Sequence, residues 1–288
     1  MTDPVHCLTI LSTKSAGSSI LQALLQRTVS AKLVAKTRHF ENETLWWTKC
    51  ASALGMAQRR MPLSEVPLPK PRAVRDLETL LRENAVPGGI EISRDGCFDA
   101  FERLAEAHAP VFVEKSPHHL YQPAALELIQ TFARTSARVQ MRMIGLVRNP
   151  IDTVYSSWRR FGVLPAREEA EWRRAYANLQ ALAAAMPDHV VILRYEDLVD
   201  DPAGLMEPLR QWGLSPAEGA TGLHARSVAR WRSDPRFRFV PAPETRAMAR
   251  ALGYADDTLV GVPGNLLARD RLRAAWHGAR HRWAMLGS

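Results

Sequence analysis

An α/β fold is predicted for this sequence, with a parallel β-sheet flanked by helices on both faces. Three observations predict it. Short apolar runs alternate with longer stretches of helical period, as in strand–helix–strand units. The runs are apolar at nearly every position, the mark of strands buried on both faces. Polar clusters follow them at Lys14, Glu114-Lys115, Arg148 and Arg194-Tyr195. Ligands of open parallel sheets bind outside the carboxyl ends of the strands, where those clusters fall.

The elements follow in order. His6–Leu11 reads as a buried strand that runs into Thr13-Lys-Ser-Ala-Gly-Ser-Ser19, and Ile20–Leu25 then takes a helical period. Glu43–Ala57 reads as a helix with Leu45, Trp46, Cys50 and Leu54 toward one side. Met61–Arg72 carries Pro62, Pro67, Pro69 and Pro71 and reads as a loop. Phe98–His108 is a helix, Val111–Lys115 a strand, and Tyr121–Ala133 a helix. Val139–Val147 is the next strand; Pro150 then suits a first helical turn that Ile151–Arg160 continues. Ala166–Ala185 is a long helix, and His189–Leu193 is a strand ending in Arg194-Tyr-Glu-Asp197.

Composition narrows the class. The chain has 288 residues, 46% hydrophobic and 24% charged, which excludes a disordered chain and a disulfide mini-protein. One domain is expected over residues 1–288, with a core at about 6–254 and a basic, helical extension at 255–288. No apolar run approaches the roughly 20 residues that span a bilayer, so no membrane partner is expected. Asp3 and Pro4 begin a stretch unlike a signal peptide, and Cys7, Cys50 and Cys97 show no metal spacing. A cytoplasmic location is the expectation. The net charge of +8 suits an anionic ligand, and about half of it lies within Arg269–Arg282. No zinc finger, RNA-binding aromatic signature or long Lys run supports a nucleic-acid partner.

Two segments carry chemistry. In Thr13–Ser19, Gly17 permits close backbone approach, Ser15, Ser18 and Ser19 offer hydroxyls, and Lys14 offers a charge at a helix start. This is a phosphate cradle by chemistry, although the Gly-x-x-x-x-Gly-Lys-Ser/Thr loop of P-loop kinases is absent. In Leu146–Ser156, Arg148 leaves a strand and Ser156 lies eight residues on, a pair able to grip a phosphate monoester.

Together these segments resemble the PAPS-dependent sulfotransferases. The Lys14 loop is similar to that family's 5′-phosphosulfate loop. Arg148 and Ser156 resemble its 3′-phosphate motif at the same spacing. Glu114-Lys-Ser-Pro-His118 resembles a segment of Golgi-type and bacterial members, Arg194-Tyr-Glu-Asp-Leu198 one found downstream, and Leu252-Gly-Tyr254 a late feature. The resemblance spans residues 6 to 254 in the family's order. It departs at Thr13, where a Pro is usual, and in lacking Arg-Lys-Gly-x-x-Gly-Asp-Trp, which places the chain nearer the bacterial and carbohydrate or tyrosyl-protein branches.

The resemblance implies a P-loop-like sulfotransferase fold, PAPS as sulfuryl donor, PAP as product, and no metal. It implies that Lys14 stabilises the leaving group. Ser15, Ala16, Gly17, Ser18 and Ser19 would hold the 5′-phosphate, and Arg148 and Ser156 the 3′-phosphate. Arg160 and Ser227 are further candidates there, and Tyr195 is a candidate neighbour of the adenine. Glu43 is the preferred base, since the acid ahead of Trp46-Trp47 resembles the base-bearing segment of the heparan-sulfate branch. Glu41, His118 and His119 are the alternatives, and Glu41 and Glu43 also suit a helix N-terminus. Lys115 supports the cradle or pairs with Glu114. Trp46, Trp47 and Trp158, aromatics at helical spacing, read first as core residues and second as candidate walls of an acceptor cleft, and such walls point to a small-molecule acceptor over a polymer. Met61–Gly89 and Leu164–Ala177, the variable stretches, carry no readable code. A nucleotide-dependent kinase and a basic nucleic-acid-binding protein are the alternative classes.

Overall fold

The computed structural model describes residues 4–61, 64–217 and 228–264, together with Leu272 and Trp276. Its sheet has four parallel strands: β1 (Val5–Ser12), β2 (Val111–Lys115), β3 (Val139–Val147) and β4 (Val190–Arg194), in the order β2-β1-β3-β4. Cys7 of β1 stands opposite Phe112 on one side and Met141 on the other. β1 is therefore flanked by strands reached in opposite directions, the switch point at which such sheets bind ligands.

The helices are α1 (Ser18–Val29), α2 (Trp46–Ala53), α3 (Lys70–Glu83), α4 (Arg94–Ala107), α5 (Pro123–Thr135), α6 (Pro150–Phe161), α7 (Pro165–Ala185), α8 (Tyr195–Asp200), α9 (Ala203–Gln211) and α10 (Pro243–Ala251). Side-chain alternation along β1 feeds two cores. Leu8 and Ile10 pack with Leu21, Leu24 and Leu25 of α1 and Leu205 and Leu209 of α9. Cys7 and Leu11 face the larger core of α2, α4, α5 and α7. Gly145 lets α7 close on β3, because a Cβ there would lie 2.6 Å from Leu179.

The α/β expectation and all four strands hold, while two helix readings change. α2 begins at Trp46, not Glu43, because Leu45 takes a left-handed backbone with φ 52°. It ends before Gly55, whose φ of 72° and the bond from Met56 N to Ala51 O close the last turn. α3 begins inside the stretch read as a loop: Pro69 caps it and Pro71 sits in its first turn, where a proline costs no hydrogen bond. Ala73, Leu77, Leu80 and Leu81 form its buried stripe. Ser227 and the basic C-terminal stretch lie outside the described residues, apart from Leu272 and Trp276. Among the described residues, no helix is long and apolar enough to cross a membrane.

Candidate active site

β1 delivers Thr13–Ser19 to the carboxyl end of the sheet, and α1 starts at Ser18. The turn needs two left-handed residues, Ser15 at φ 64° and Gly17 at φ 99°. Such a conformation costs a non-glycine residue roughly 1–2 kcal/mol, so the surroundings must hold Ser15. They do so from two sides. Arg148 Nη1 donates to Ser15 O at 2.8 Å, and Ser157 Oγ lies 3.4 Å from Ser15 Oγ. Thr13 Oγ1 meets Tyr176 OH at 3.0 Å, and the Lys14 amide donates to Tyr121 OH at 3.3 Å.

Gly17 is required for a second reason. A Cβ there would sit 2.5 Å from the ring of Tyr195. That ring is buried at 1% exposure, packed beneath the loop, and the Arg148 guanidinium lies 4.9 Å from its centroid. Tyr195 thus supports the cradle from below, and its surface is taken up by Gly17, Arg148 and the smaller core.

Arg148 also touches the cradle itself. It comes within hydrogen-bonding reach of the loop backbone and is only 6% exposed. It holds the cradle's shape, whatever it contributes to a phosphate. Ser156 is half-buried on α6, one turn before Arg160, while its neighbour Ser157 is the residue turned toward the loop.

Charged groups gather over the start of α1. Ser19 Oγ donates to Glu41 Oε2, and the fully buried Lys115 reaches Ser19 Oγ at 3.2 Å. Arg160 Nη2 holds the other Glu41 oxygen at 3.0 Å. Glu43 lies deeper: its carboxylate is 3.8 Å from Lys115 Nζ and 3.6 Å from His118 Nδ1. Lys14 is close enough for Glu43 to favour its charge.

These neighbours separate the candidate bases. The hydrogen bond from Ser19, aided by Arg160 and Lys115, holds the Glu41 carboxyl below its ordinary range. Burial pushes the Glu43 carboxyl up, against the pull of Lys115 and Lys14. Burial, with the charge of Lys14 next, drives His118 well below the usual imidazole value. His119 is tied to Glu114 at 3.1 Å and is fully buried. Among these four candidates, Glu43 is the one that combines a raised carboxyl pKa with a place beside Lys14. Burial also lowers the Lys14 ammonium, opposed first by Glu43 and then by Glu168.

The surroundings decide one alternative and add one residue. Trp46 and Trp47 are fully buried and pack on Phe101 and Phe132, with Trp47 4.6 Å from Phe101. Trp158 lies in a third cluster with Tyr155 and Phe237. All three are core residues, so they do not wall an acceptor cleft. Glu168, in the first turn of α7, is a residue that the sequence did not single out. It is 7% exposed, bonds with Ser157 and senses Lys14, and burial pushes its carboxyl up to about 7. Nothing in Leu164–Ala177 marks one glutamate among several; only the fold aims it at Lys14.

The raised Glu168 value has a stability consequence. The native state holds this proton at pH values where the unfolded chain, at 4.5, has lost it. The contribution is present below 4.5 and is lost as pH rises through about 7. Glu168→Gln is therefore expected to match the wild type in thermal midpoint at acid pH and to exceed it by several degrees at about pH 8. Melting curves across pH test this; a parallel offset at every pH would sink it.

Geometry and fold together define a class. A parallel α/β sheet of nucleotide-binding type presents a strand–loop–helix cradle, flanked by Lys14, Lys115 and Arg148 and faced by a recessed carboxylate. The chain belongs to the sulfotransferase family, whose model matches residues 8–213. Among solved structures it resembles the sulfotransferase domain from the curacin biosynthetic pathway. That match has 20% identity and a TM-score of 0.55, and covers 88% of this chain and 99% of that one. It also resembles a sulfotransferase from Alicyclobacillus acidocaldarius, with 14% identity, a TM-score of 0.50 and coverage of 90% and 99%. These likenesses carry the fold alone. No curated protein matches the chain. Among the described residues, no three His, Cys, Asp or Glu side chains gather as a metal site would require.

Proposed function

We propose that this enzyme moves the sulfuryl group of PAPS to a hydroxyl or amine of a small acceptor, releasing PAP. The observation that carries the reading is the meeting of Lys14, at the cradle, with Glu43, from a separate loop. Glu43 takes the acceptor's proton as the acceptor atom bonds to sulfur. The bond from sulfur to the bridging oxygen breaks, its electron pair stays with that oxygen, and Lys14 neutralises the charge formed there. In-line transfer asks chiefly for positioning and charge neutralisation.

The N–H groups at the start of α1, of the kind a helix leaves unpaired, suit the 5′-phosphate, with Ser18 and Ser19 beside them. Arg148, Ser156 and Arg160 remain the candidates for the 3′-phosphate. Glu43 and His118 are recessed, with side chains 15% and 11% exposed, so the reacting group must be slender enough to enter. That supports a small acceptor over a broad polymer face. A cytoplasmic setting goes with three free, buried cysteines.

Thermal unfolding with PAP beside ADP, at one salt concentration, tests the reading. A ligand at about 100 times its dissociation constant adds about 2.7 kcal/mol to native stability. A large shift with PAP and little with ADP is expected. Equal shifts would favour a general nucleotide site of kinase type, and no shift with either would sink the proposal.

Glu41 supplies a second check. Its carboxylate shares Ser19 and Arg160 with the proposed nucleotide site, and like charges repel. Glu41→Gln is expected to tighten PAP binding roughly three- to tenfold at low salt, less at high salt. Weaker binding in calorimetry would count against placing the phosphates there.

A further inference from the structure

We infer that Glu114, together with Ser116, positions the base Glu43 by holding its chain neighbours Thr44 and Leu45. The inference rests on the proposed role of Glu43. Glu114 lies near the end of β2, the strand that also carries Lys115, and its side chain has no exposed surface. Its Oε1 accepts from Thr44 Oγ1 at 2.7 Å, Ser116 Oγ at 2.8 Å and His119 Nε2 at 3.1 Å. Burial works against the charge, yet His119 and these hydroxyls hold the carboxyl below its ordinary value. A buried carboxylate given three donors on one oxygen is a firm anchor.

The anchored segment needs one. Leu45 is left-handed, a conformation a leucine adopts only when its surroundings insist. The Leu45 amide donates to Ser116 Oγ at 2.9 Å, and the Trp46 amide to Thr44 Oγ1 at 3.0 Å. Lys49 Nζ holds Thr44 O at 2.8 Å, and Thr37 Oγ1 holds Glu43 O at 2.6 Å. Residues 43–46 are thus fixed at every position, and Thr44 and Leu45 are both tied across to residues 114–116.

The same short segment faces the Glu43 carboxylate. Successive residues take alternate sides: Glu114 and Ser116 grip the segment beside Glu43, while Lys115 lies 3.8 Å from its oxygen. His118, two residues beyond Ser116, lies 3.6 Å from the other oxygen. One rigid strand end thereby sets both where Glu43 starts and what it meets. A misplacement of about 1 Å can cost on the order of a hundredfold in rate.

Glu114 acts through Thr44, so its role shows as coupling. The test is a double-mutant cycle between Thr44→Val and Glu43→Gln, with Thr44→Ser as the conservative control. The readout is PAP released from PAPS, with water as the acceptor present in every run, beside the PAP dissociation constant. Thr44→Val is expected to lower the rate roughly tenfold to a hundredfold, with PAP affinity within about twofold. Thr44→Ser is expected to restore the rate. In the Glu43→Gln background, Thr44→Val is expected to cost nothing further.

Thr44 Oγ1 also accepts from the Trp46 amide at the start of α2, so some loss of melting temperature is expected in either case; only the coupling reports positioning. An equal fractional loss in both backgrounds, or an unchanged rate in Thr44→Val, overturns the inference. Should Thr44→Val fail to fold, Ser116→Ala in the same cycle decides between coupled and additive behaviour. A wild type that neither binds PAP nor releases it from PAPS overturns the proposed function and this role together. An active wild type with an additive cycle overturns this role alone.

Discussion

Lys14→Ala is expected to lower turnover about a hundred- to a thousandfold while changing PAP affinity only a few-fold. The reasoning starts from where the charge is needed. The loop's backbone amides and hydroxyls offer many partners for the phosphates already charged in the ground state. In the proposed transfer Lys14 meets charge that grows only as the bridging oxygen leaves, and such a contact raises rate more than binding. Its surroundings favour this use. Burial lowers the ammonium's pKa, and Glu43, Glu168, Glu65 and Glu171 oppose that shift. Lys14→Met, which keeps much of the volume, should lose as much as Lys14→Ala, since charge rather than packing is at stake. Turnover and PAP binding measured on the same preparations decide it. An unchanged rate, or losses of equal size in rate and affinity, would remove Lys14 from the chemistry.

Much of the fold was legible in the sequence because its signals are local. The four strands are short apolar runs bounded by turn residues; β1 and β2 are buried at nearly every position, while β4 is half-buried throughout. The missed start of α3 was also legible, since Pro69 and Pro71 mark a helix entry and Ala73, Leu77, Leu80 and Leu81 recur at helical spacing. The loop reading overweighted proline as a breaker. What stayed hidden depends on contacts across the chain. Leu45 has no turn chemistry of its own, and its left-handed backbone is held by Ser116, 71 residues away. Tyr195 and Arg148 lie where the strand ends place them, but only the closed structure stacks one on the other beneath Gly17. The tryptophans looked available for a cleft because two adjacent aromatics do not say which way their helix turns. Glu168 looked like any helical acid until α7 aimed it at Lys14.

Glu43→Gln is expected to lower transfer about a hundred- to ten-thousandfold and to leave PAP binding intact. The substitution keeps the side chain's shape and removes its ability to take a proton. The pH profile sharpens the test. Burial raises the Glu43 carboxyl above its ordinary 4.5, so wild-type turnover should rise with pH through a limb displaced above that value. The sign follows from the role: a base works unprotonated, so the rate is lost on the acid side. In Glu43→Gln the limb should vanish along with the rate. Glu41 would give a different profile, since Ser19 and Arg160 hold its carboxyl low and its limb would lie below 4.5. His118 would give a limb below the imidazole's ordinary 6.5, and it would survive Glu43→Gln. An active Glu43→Gln enzyme with an intact acid limb would therefore hand the role to His118, which His118→Asn would confirm. A limb that moves with Glu43 alone would tie the proton transfer to that carboxylate, because Lys115 and His118 meet it from one strand end while Lys14 faces it from the cradle.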